Sequence, residues 1–278
     1  MYKYSMNILS FDVGIKNLSF CIIEYKDNNF TIKQWEVIDL CKEGDKCTEI
    51  KDGKKCIKNA KYYKYNDYYC QTHCKKKMYE IPPDNLREKI LKKMKLDELV
   101  NISNQCNIEI NKPYTKNKLL EQIIEYKRDK YFELVNEVKA SEHNLVELGI
   151  NLKIKLDNLL NFSQIDLVLI ENQISPIANR MKTIQGMIAQ YLIMKGVHNI
   201  IFYSAINKLK TFIGSHKTSY SERKQLSISY TTQILTKTIV LNEWIGFFSS
   251  HKKRDDLADS FLQGLSYLVQ KHNLAVSI

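Results

Sequence analysis

The sequence is poor in the residues that punctuate chains, with 9 Gly and 4 Pro among 278 residues. It is rich instead in Lys, Asn, Ile and Tyr. That balance reads as the product of an A+T-biased genome and carries nothing about mechanism. Apolar runs long enough to cross a bilayer are missing. The opening MYKYSMNILSFD also lacks the apolar stretch of a secretory signal. The expectation is a soluble protein that is not secreted and has no membrane partner. A regular, even-numbered cysteine framework is missing too. The seven cysteines are Cys21, Cys41, Cys47, Cys56, Cys70, Cys74 and Cys106, and five of them fall within residues 41–74. An odd, clustered set argues against a disulfide scaffold and for a reducing compartment. Acid is outnumbered by base, 31 Asp+Glu against 42 Lys+Arg, for a net charge of +11. Such a surplus favours a polyanionic partner, nucleic acid or an acidic membrane. With 44% apolar residues the chain has the material for a sizeable core.

The pattern begins as strands. Residues 6–12 end on Asp12 ahead of Val13-Gly14, and residues 18–25 and 30–38 follow after short spacers, which suits an antiparallel meander. Residues 41–77 are dense in Cys, Lys and Tyr with little apolar periodicity, and Pro82-Pro83 closes that stretch. Residues 84–127 read as short helices and roughly 128–161 as a longer helical pattern. At 165–171 the run IDLVLIE has the near-continuous apolar character of a strand buried on both faces. A helix at 178–195, a strand at 199–203, and helices near 205–212, 221–237 and 254–271 complete the outline. Taken together, residues 1–40 and 128–278 form one α/β domain. Residues 41–80 and 84–127 are modules placed in a loop, where insertions are tolerated.

Acids stand at conspicuous places. Asp12 closes the first strand, Glu171 closes LVLIE, and Asp255, Asp256 and Asp259 open the last helix. Carboxylates gathered beside apolar segments repel one another unless a cation binds. Paired divalent ions would relieve the repulsion and supply an activated water and a stabilised leaving oxygen for phosphodiester cleavage. Magnesium, an oxygen-liganded ion that keeps several waters, suits such a site. On the helix, Leu257, Phe261, Leu265 and Leu268 form an apolar stripe. Asp256 and Asp259 share a face, and so do Asp255 and Asp259, so periodicity leaves both pairings open. Taken singly, each acid is explained as well by turn chemistry or the helix dipole.

As a set, these motifs resemble a family. FDVGIKNLSFCIIEY is similar to the first hairpin of RuvC-type resolvases of the RNase H-like fold. LVLIENQ resembles their second acidic strand, and KKRDDLADSFLQGL their C-terminal helix with two acids three apart. The likeness is greatest to the poxvirus-type Holliday-junction resolvases of large DNA viruses, over residues 6–40 and roughly 130–270. The resemblance implies an α/β fold: a mixed sheet of three antiparallel strands, then parallel strands, flanked by helices. It implies a structure-specific endonuclease resolving four-way junctions in viral recombination and replication, working in the host cytoplasm or packed in the virion. Asp12, Glu171, Asp256 and Asp259 would hold two Mg²⁺ ions, with Mn²⁺ as a substitute. Lys208 or Lys210, and Lys224, would touch the scissile phosphate, with Lys217 and Arg223 as neighbours able to serve. The products would carry 5′-phosphate and 3′-hydroxyl ends. A homodimer would set one site on each of two opposed strands, and the helix 178–195 is a place for its interface.

The cysteine stretch reads Cys41-x5-Cys47-x8-Cys56-x13-Cys70-x2-His73-Cys74. Zinc takes four N/S ligands in a tetrahedron. Cys70 and His73 form a tight knuckle, and Cys47 and Cys56 flank a turn at KDGKK. These four are the expected structural zinc ligands, with Cys41 or Cys74 as substitutes. Lysines and tyrosines around them suit phosphates and bases, or equally the packing of the metal module. Residues 95–126 resemble a SAP-type helix-turn-helix that binds DNA, although the usual Gly between its helices is absent. The rival readings are another RNase H-like nuclease, transposon-type or RNA-processing, and a non-catalytic nucleic-acid-binding protein.

Overall fold

The structure is a computed structural model that describes residues 5–41, 44–110, 113–135, 140, 142–173, 179–204, 211–212 and 219–276. The chain divides into two compact units, Met1–Lys42 with Lys139–Ile278, and Glu43–Val138. Strands β1 (Ser5–Asp12), β2 (Leu18–Lys26) and β3 (Asn29–Ile38) open the first unit. Asp27 and Asn28 both take positive φ, 50° and 61°. This is the two-residue turn whose twist matches a hairpin, and these residue types tolerate it.

The second unit follows in the chain. A hairpin of β4 (Ile50–Lys51) and β5 (Lys54–Lys55) precedes β6 (Tyr62–Lys64) and β7 (Asp67–Tyr69). Helices α1 (Glu88–Leu91), α2 (Leu96–Gln105) and α3 (Lys116–Lys130) come next, then β8 (Glu133–Leu134). Strand β8 pairs with β6, Tyr62 opposite Leu134, so the helices and the cysteine stretch belong to one unit. Lys64 is 3% exposed. Its ammonium donates to the carbonyls of Arg128 and Tyr131, at the C-terminal end of α3, and lies 4.3 Å from the centre of the Tyr79 ring. Helix-end carbonyls and a π face are the partners a buried cation needs.

The helical hairpin has its own core of Leu99, Ile102, Leu119 and Ile123. Asn107 takes φ 53° after α2. Asn107 N–H donates to Asn104 O and Ile108 N–H to Ser103 O, closing a Schellman motif. Asparagine thus does at this helix end what the missing glycine does elsewhere.

The first unit resumes with α4 (Leu145–Leu159), β9 (Leu167–Asn172), α5 (Asn179–Met194), β10 (Ile200–Ser204), α6 (Tyr220–Lys237), α7 (Glu243–Ser250) and α8 (Arg254–His272). Its sheet runs β3-β2-β1-β9-β10. The first three strands are antiparallel, while β9 lies parallel to β1 and β10 parallel to β9. This is the expected mixed sheet, three antiparallel strands and then parallel ones.

Alternation along the strands sorts the two faces. Ile8, Ile23 and Leu169 pack on Leu257, Phe261 and Leu265 of α8. Leu9, Phe11 and Ile170 pack on the other face against Leu152 of α4 and Ile188 of α5.

The helical pattern expected over 128–161 is two pieces. Helix α3 stops at Lys130, and α4 starts after Asn144, whose side chain caps Val146 N–H at 2.7 Å. Between them Tyr131 and Phe132 pair with Glu80, and Glu133–Leu134 with β6, partners that local periodicity does not contain. Of the helix expected near 205–212, residues 205–210 lie outside the described residues. Strands β4–β7 and helix α7 had no expectation against them, being too short to show a period.

Candidate active site and cysteine cluster

Asp12 is the last residue of β1 and 9% exposed. The β1–β9 register ends at Phe11 opposite Ile170, so the next step sets Asp12 beside Glu171 at the C-terminal ends of two parallel strands. Both acids continue the face that α8 covers, because Ser10 and Leu169, two residues earlier, already point there. The turn after Asp12 is tight. A Cβ on Gly14 would lie 2.3 Å from the Asn17 carbonyl oxygen.

Helix α8 is pinned to that face. The hydroxyls of Ser19 and Ser260 share a hydrogen bond of 2.7 Å, and Ser19 sits opposite Asp12 in the register. Gln263 Nε2 donates to Ser10 Oγ and to the Phe11 carbonyl, each at 3.0 Å. Trp35 Nε1 donates to the Leu257 carbonyl at 3.0 Å. At Gly264 the sheet comes so close that a Cβ would meet Ile23 Cδ1 at 2.7 Å.

Asp256 lies one turn before Ser260, which turns it toward the end of β1. Burial, and then the negative charges of Asp255 and Asp12, push its carboxyl up to about 6. Asp255 faces α6 instead, with Oδ2 2.5 Å from Lys224 Nζ. Burial works to raise its pKa, but the lysine outweighs that and holds it below the usual aspartate value. Asp259 accepts a hydrogen bond from Ser227 Oγ at 2.8 Å, and Glu171 Oε2 accepts from Gln173 Nε2 at 2.9 Å. The adjacent aspartates thus have separate surroundings, which spacing alone had left open.

Asp12 and Asp256 feel one another's charge, but no three of the carboxylates of Asp12, Glu171, Asp256 and Asp259 converge to within 4.8 Å as the cysteine cluster does. Among the described residues, the tight set of three or more ligand groups, with all ligand atoms within 4.8 Å, is Cys47, Cys56, Cys70 and His73. Lys208, Lys210 and Lys217 lie outside the described residues. Arg223 is exposed and Lys224 half-buried. Ser227 had no signal in the sequence beyond standing three residues after Lys224.

The cysteine cluster is built from two turns. Cys47 and Cys56 flank the β4–β5 hairpin, whose Asp52 and Gly53 take φ 51° and 72°. Cys70 and His73 share a knuckle in which the N–H groups of His73 and Cys74 donate to the Cys70 carbonyl, at 3.1 and 3.0 Å. Cys47 Sγ is 3.3 Å from His73 Nδ1. Burial disfavours the Cys70 thiolate, but the N–H groups of His73 and Thr72 and the neighbouring thiols favour it, and the pKa is lowered on balance. Three sulfurs and an imidazole converging on one point are the donor set of a closed tetrahedral site.

The substitutes stand apart from this set. Cys74 Sγ contacts the Gln71 carbonyl at 3.4 Å and packs with Tyr62, Tyr69 and Phe132. Cys41 is buried with Leu40 and Ile38 in the first unit, where burial and then Asp39 push its thiol up to about 11. No helix among the described residues is long and apolar enough to cross a membrane.

Residues 106–271 match the family model described as Poxvirus A22 protein, and residues 8–184 match that of the Mitochondrial resolvase Ydc2 / RNA splicing MRS1. An uncharacterized protein, L451, of Acanthamoeba polyphaga mimivirus is 28% identical over 312 residues, covering 95% of this chain and 74% of that one. Among solved structures, the yeast mitochondrial Holliday junction resolvase Ydc2 aligns over 97% of this chain and 82% of its own, with 14% identity and a TM-score of 0.43. The fowlpox virus Holliday junction resolvase aligns over 95% of this chain and 99% of its own, with 16% identity and a TM-score of 0.40.

Proposed function

The chain belongs to the resolvase family of the poxvirus A22 proteins and mitochondrial resolvases, each match covering more than half of its length, and from that premise we propose the chemistry of a structure-specific junction-resolving nuclease. Its substrate is a four-way or otherwise branched DNA, cut by paired metal-dependent hydrolysis. The observation that carries the chemistry is the placing of Asp12 beside Glu171 at the ends of two parallel strands, on the face that α8 covers with Asp256 near Asp12. Carboxylates that repel one another at a strand end are what a divalent cation relieves.

Asp12, Glu171, Asp256 and Asp259 would hold two Mg²⁺ ions, or Mn²⁺ in their place. Bound there, the ions would supply an activated water and a stabilised leaving oxygen, giving 5′-phosphate and 3′-hydroxyl ends. Lys224, and Lys208 or Lys210, meet the scissile phosphate. Cys47, Cys56, Cys70 and His73 hold a structural zinc, which ties together a module with little core of its own. The SAP-like hairpin tracks the DNA backbone. A homodimer, working at viral replication sites in the host cytoplasm, places two sites on opposed strands of the junction.

The test is cleavage of end-labelled four-way junction, linear duplex and RNA–DNA hybrid, in Mg²⁺ and in EDTA. The expected result is paired nicks on opposed strands of the junction only, and only with metal. Asp12→Asn and Asp256→Asn should bind the junction and leave it whole. Preferential cutting of the hybrid would make this an RNA-processing nuclease. Metal-independent or absent cutting, with junction binding kept, would make it a binding protein.

A further inference from the structure

The acid-bearing helix α8 is tied to α6 through two of its carboxylates. Lys224 Nζ lies 2.5 Å from Asp255 Oδ2, and Ser227 Oγ donates to Asp259 Oδ1 at 2.8 Å. Lys224 and Ser227 are three residues apart on α6, Asp255 and Asp259 four apart on α8, the spacings that present one face of a helix to a neighbour. Successive residues on a helix point about 100° apart, so Asp255 and Asp256 serve different partners. Asp256 turns to Asp12. Asp255 turns to Lys224.

The pair sits at the rim rather than in the core, with side chains 39% and 20% exposed. An ammonium carries three donors. Asp255 takes one direction, and the Tyr220 ring, 5.2 Å from Nζ, packs against another. The third donor is the one an incoming anion would take. A lysine stem has many rotors, and a lysine held in place before the phosphate arrives loses less freedom on binding.

We propose that Asp255 is a positioning residue for strand cleavage: it ligates no metal, and it fixes the Lys224 ammonium at the edge of the carboxylate group, where that ammonium meets a non-bridging oxygen of the scissile phosphate. This rests on the nuclease reading of Asp12, Glu171, Asp256 and Asp259. It divides the work of two adjacent aspartates, one holding a cation of the reaction and the other holding a cation of the protein.

The experiment is a double-mutant cycle on the full chain. Single-turnover cleavage of a four-way junction in saturating Mg²⁺ is measured for the wild type, Lys224→Ala, Asp255→Asn and the double variant. Junction affinity is measured in Ca²⁺, alongside melting temperature and the Mg²⁺ concentration giving half the maximal rate. Each single variant should cut about 10- to 100-fold more slowly, the scale of a misplaced catalytic group. The double variant should be no slower than Lys224→Ala, because Asp255 acts only through the lysine. Affinity should stay within about three-fold, as for loss of a single phosphate contact, and Lys224→Arg should recover part of the rate.

A further loss of rate on adding Asp255→Asn to Lys224→Ala, or a raised Mg²⁺ requirement in Asp255→Asn, would make Asp255 a ligand and overturn the proposal. Rates that merely follow the melting temperatures, with no recovery in Lys224→Arg, would reduce the pair to a clamp between helices. Normal cutting by Asp255→Asn overturns the positioning role alone. A wild type that cuts no junction overturns the nuclease reading, and this proposal with it.

Discussion

At Asp256 the fold works against a charge. The carboxyl is pushed from 3.8 up to about 6, first by burial and then by Asp255 and Asp12. A carboxyl raised in the folded state holds more protons there than in the unfolded chain. Its contribution to stability is therefore greatest at low pH and is lost as pH rises from about 4 through about 6. Asp256→Asn removes that penalty. In metal-free protein near pH 7.5 the variant should melt a few degrees above wild type. That corresponds to about 1–2 kcal/mol after discounting for solvent screening. The gap should close near pH 4, and Mg²⁺ should raise the melting point of the wild type only. Thermal melts at the two pH values check this, and a variant that melts lower near neutrality contradicts it. Cys70 is pulled the other way, and its lowered pKa is what a thiolate ligand requires.

Turns were legible where residue type dictates the backbone, and helix ends were not. The turn at Asp52-Gly53 could be read directly, since few residue types accept positive φ, while Asp27-Asn28 showed only as a short spacer between strands. The break between α3 and α4 could not, because it depends on β6 reaching Leu134 from seventy residues away. The loop after β1 shows how an element places a functional residue. Gly14 leaves room for the Asn17 carbonyl, which a Cβ would approach to 2.3 Å, and the obstacle is backbone rather than a movable side chain. Gly14→Ala should destabilise the first unit by about 2–3 kcal/mol, the upper part of the range for overpacking. It should also lower cleavage more than junction binding, because the turn sets the end of β1 on which Asp12 stands. Denaturant melts and a binding assay separate the two effects, and an unperturbed variant would show that the turn yields freely.

On the scale of the whole molecule the two units have different sources of stability. Residues Met1–Lys42 with Lys139–Ile278 bury both faces of a five-stranded sheet. Residues Glu43–Val138 have two small apolar clusters and the Cys47, Cys56, Cys70 and His73 ligand set. A module of that kind leans on its metal, since binding free energy is folding free energy there. Calorimetry of the full chain should show two transitions. A strong zinc chelator should lower the one belonging to residues 43–138 and leave the other within a few degrees, while Asp256→Asn should move only the second. Metal analysis should give about one zinc per chain, as expected for one closed four-ligand site. A single transition unmoved by chelation would mean that the cysteine cluster carries no metal.

Local order was within reach of the sequence alone: the strands around Asp12 and Glu171, the amphipathic stripe of α8, and the two turns that carry four soft ligands. Each depends on residue types close together in the chain, so periodicity and turn chemistry suffice. Which aspartate of the Asp255-Asp256 pair faces Asp12, which faces Lys224, and that Ser227 reaches Asp259, were decided only by tertiary structure. Those facts follow from how α8 is rotated against β1 and α6. That rotation is set by distant contacts such as Trp35 to Leu257, Ser19 to Ser260 and Gln263 to Ser10. Such contacts join residues more than two hundred positions apart, and no window of sequence contains both partners.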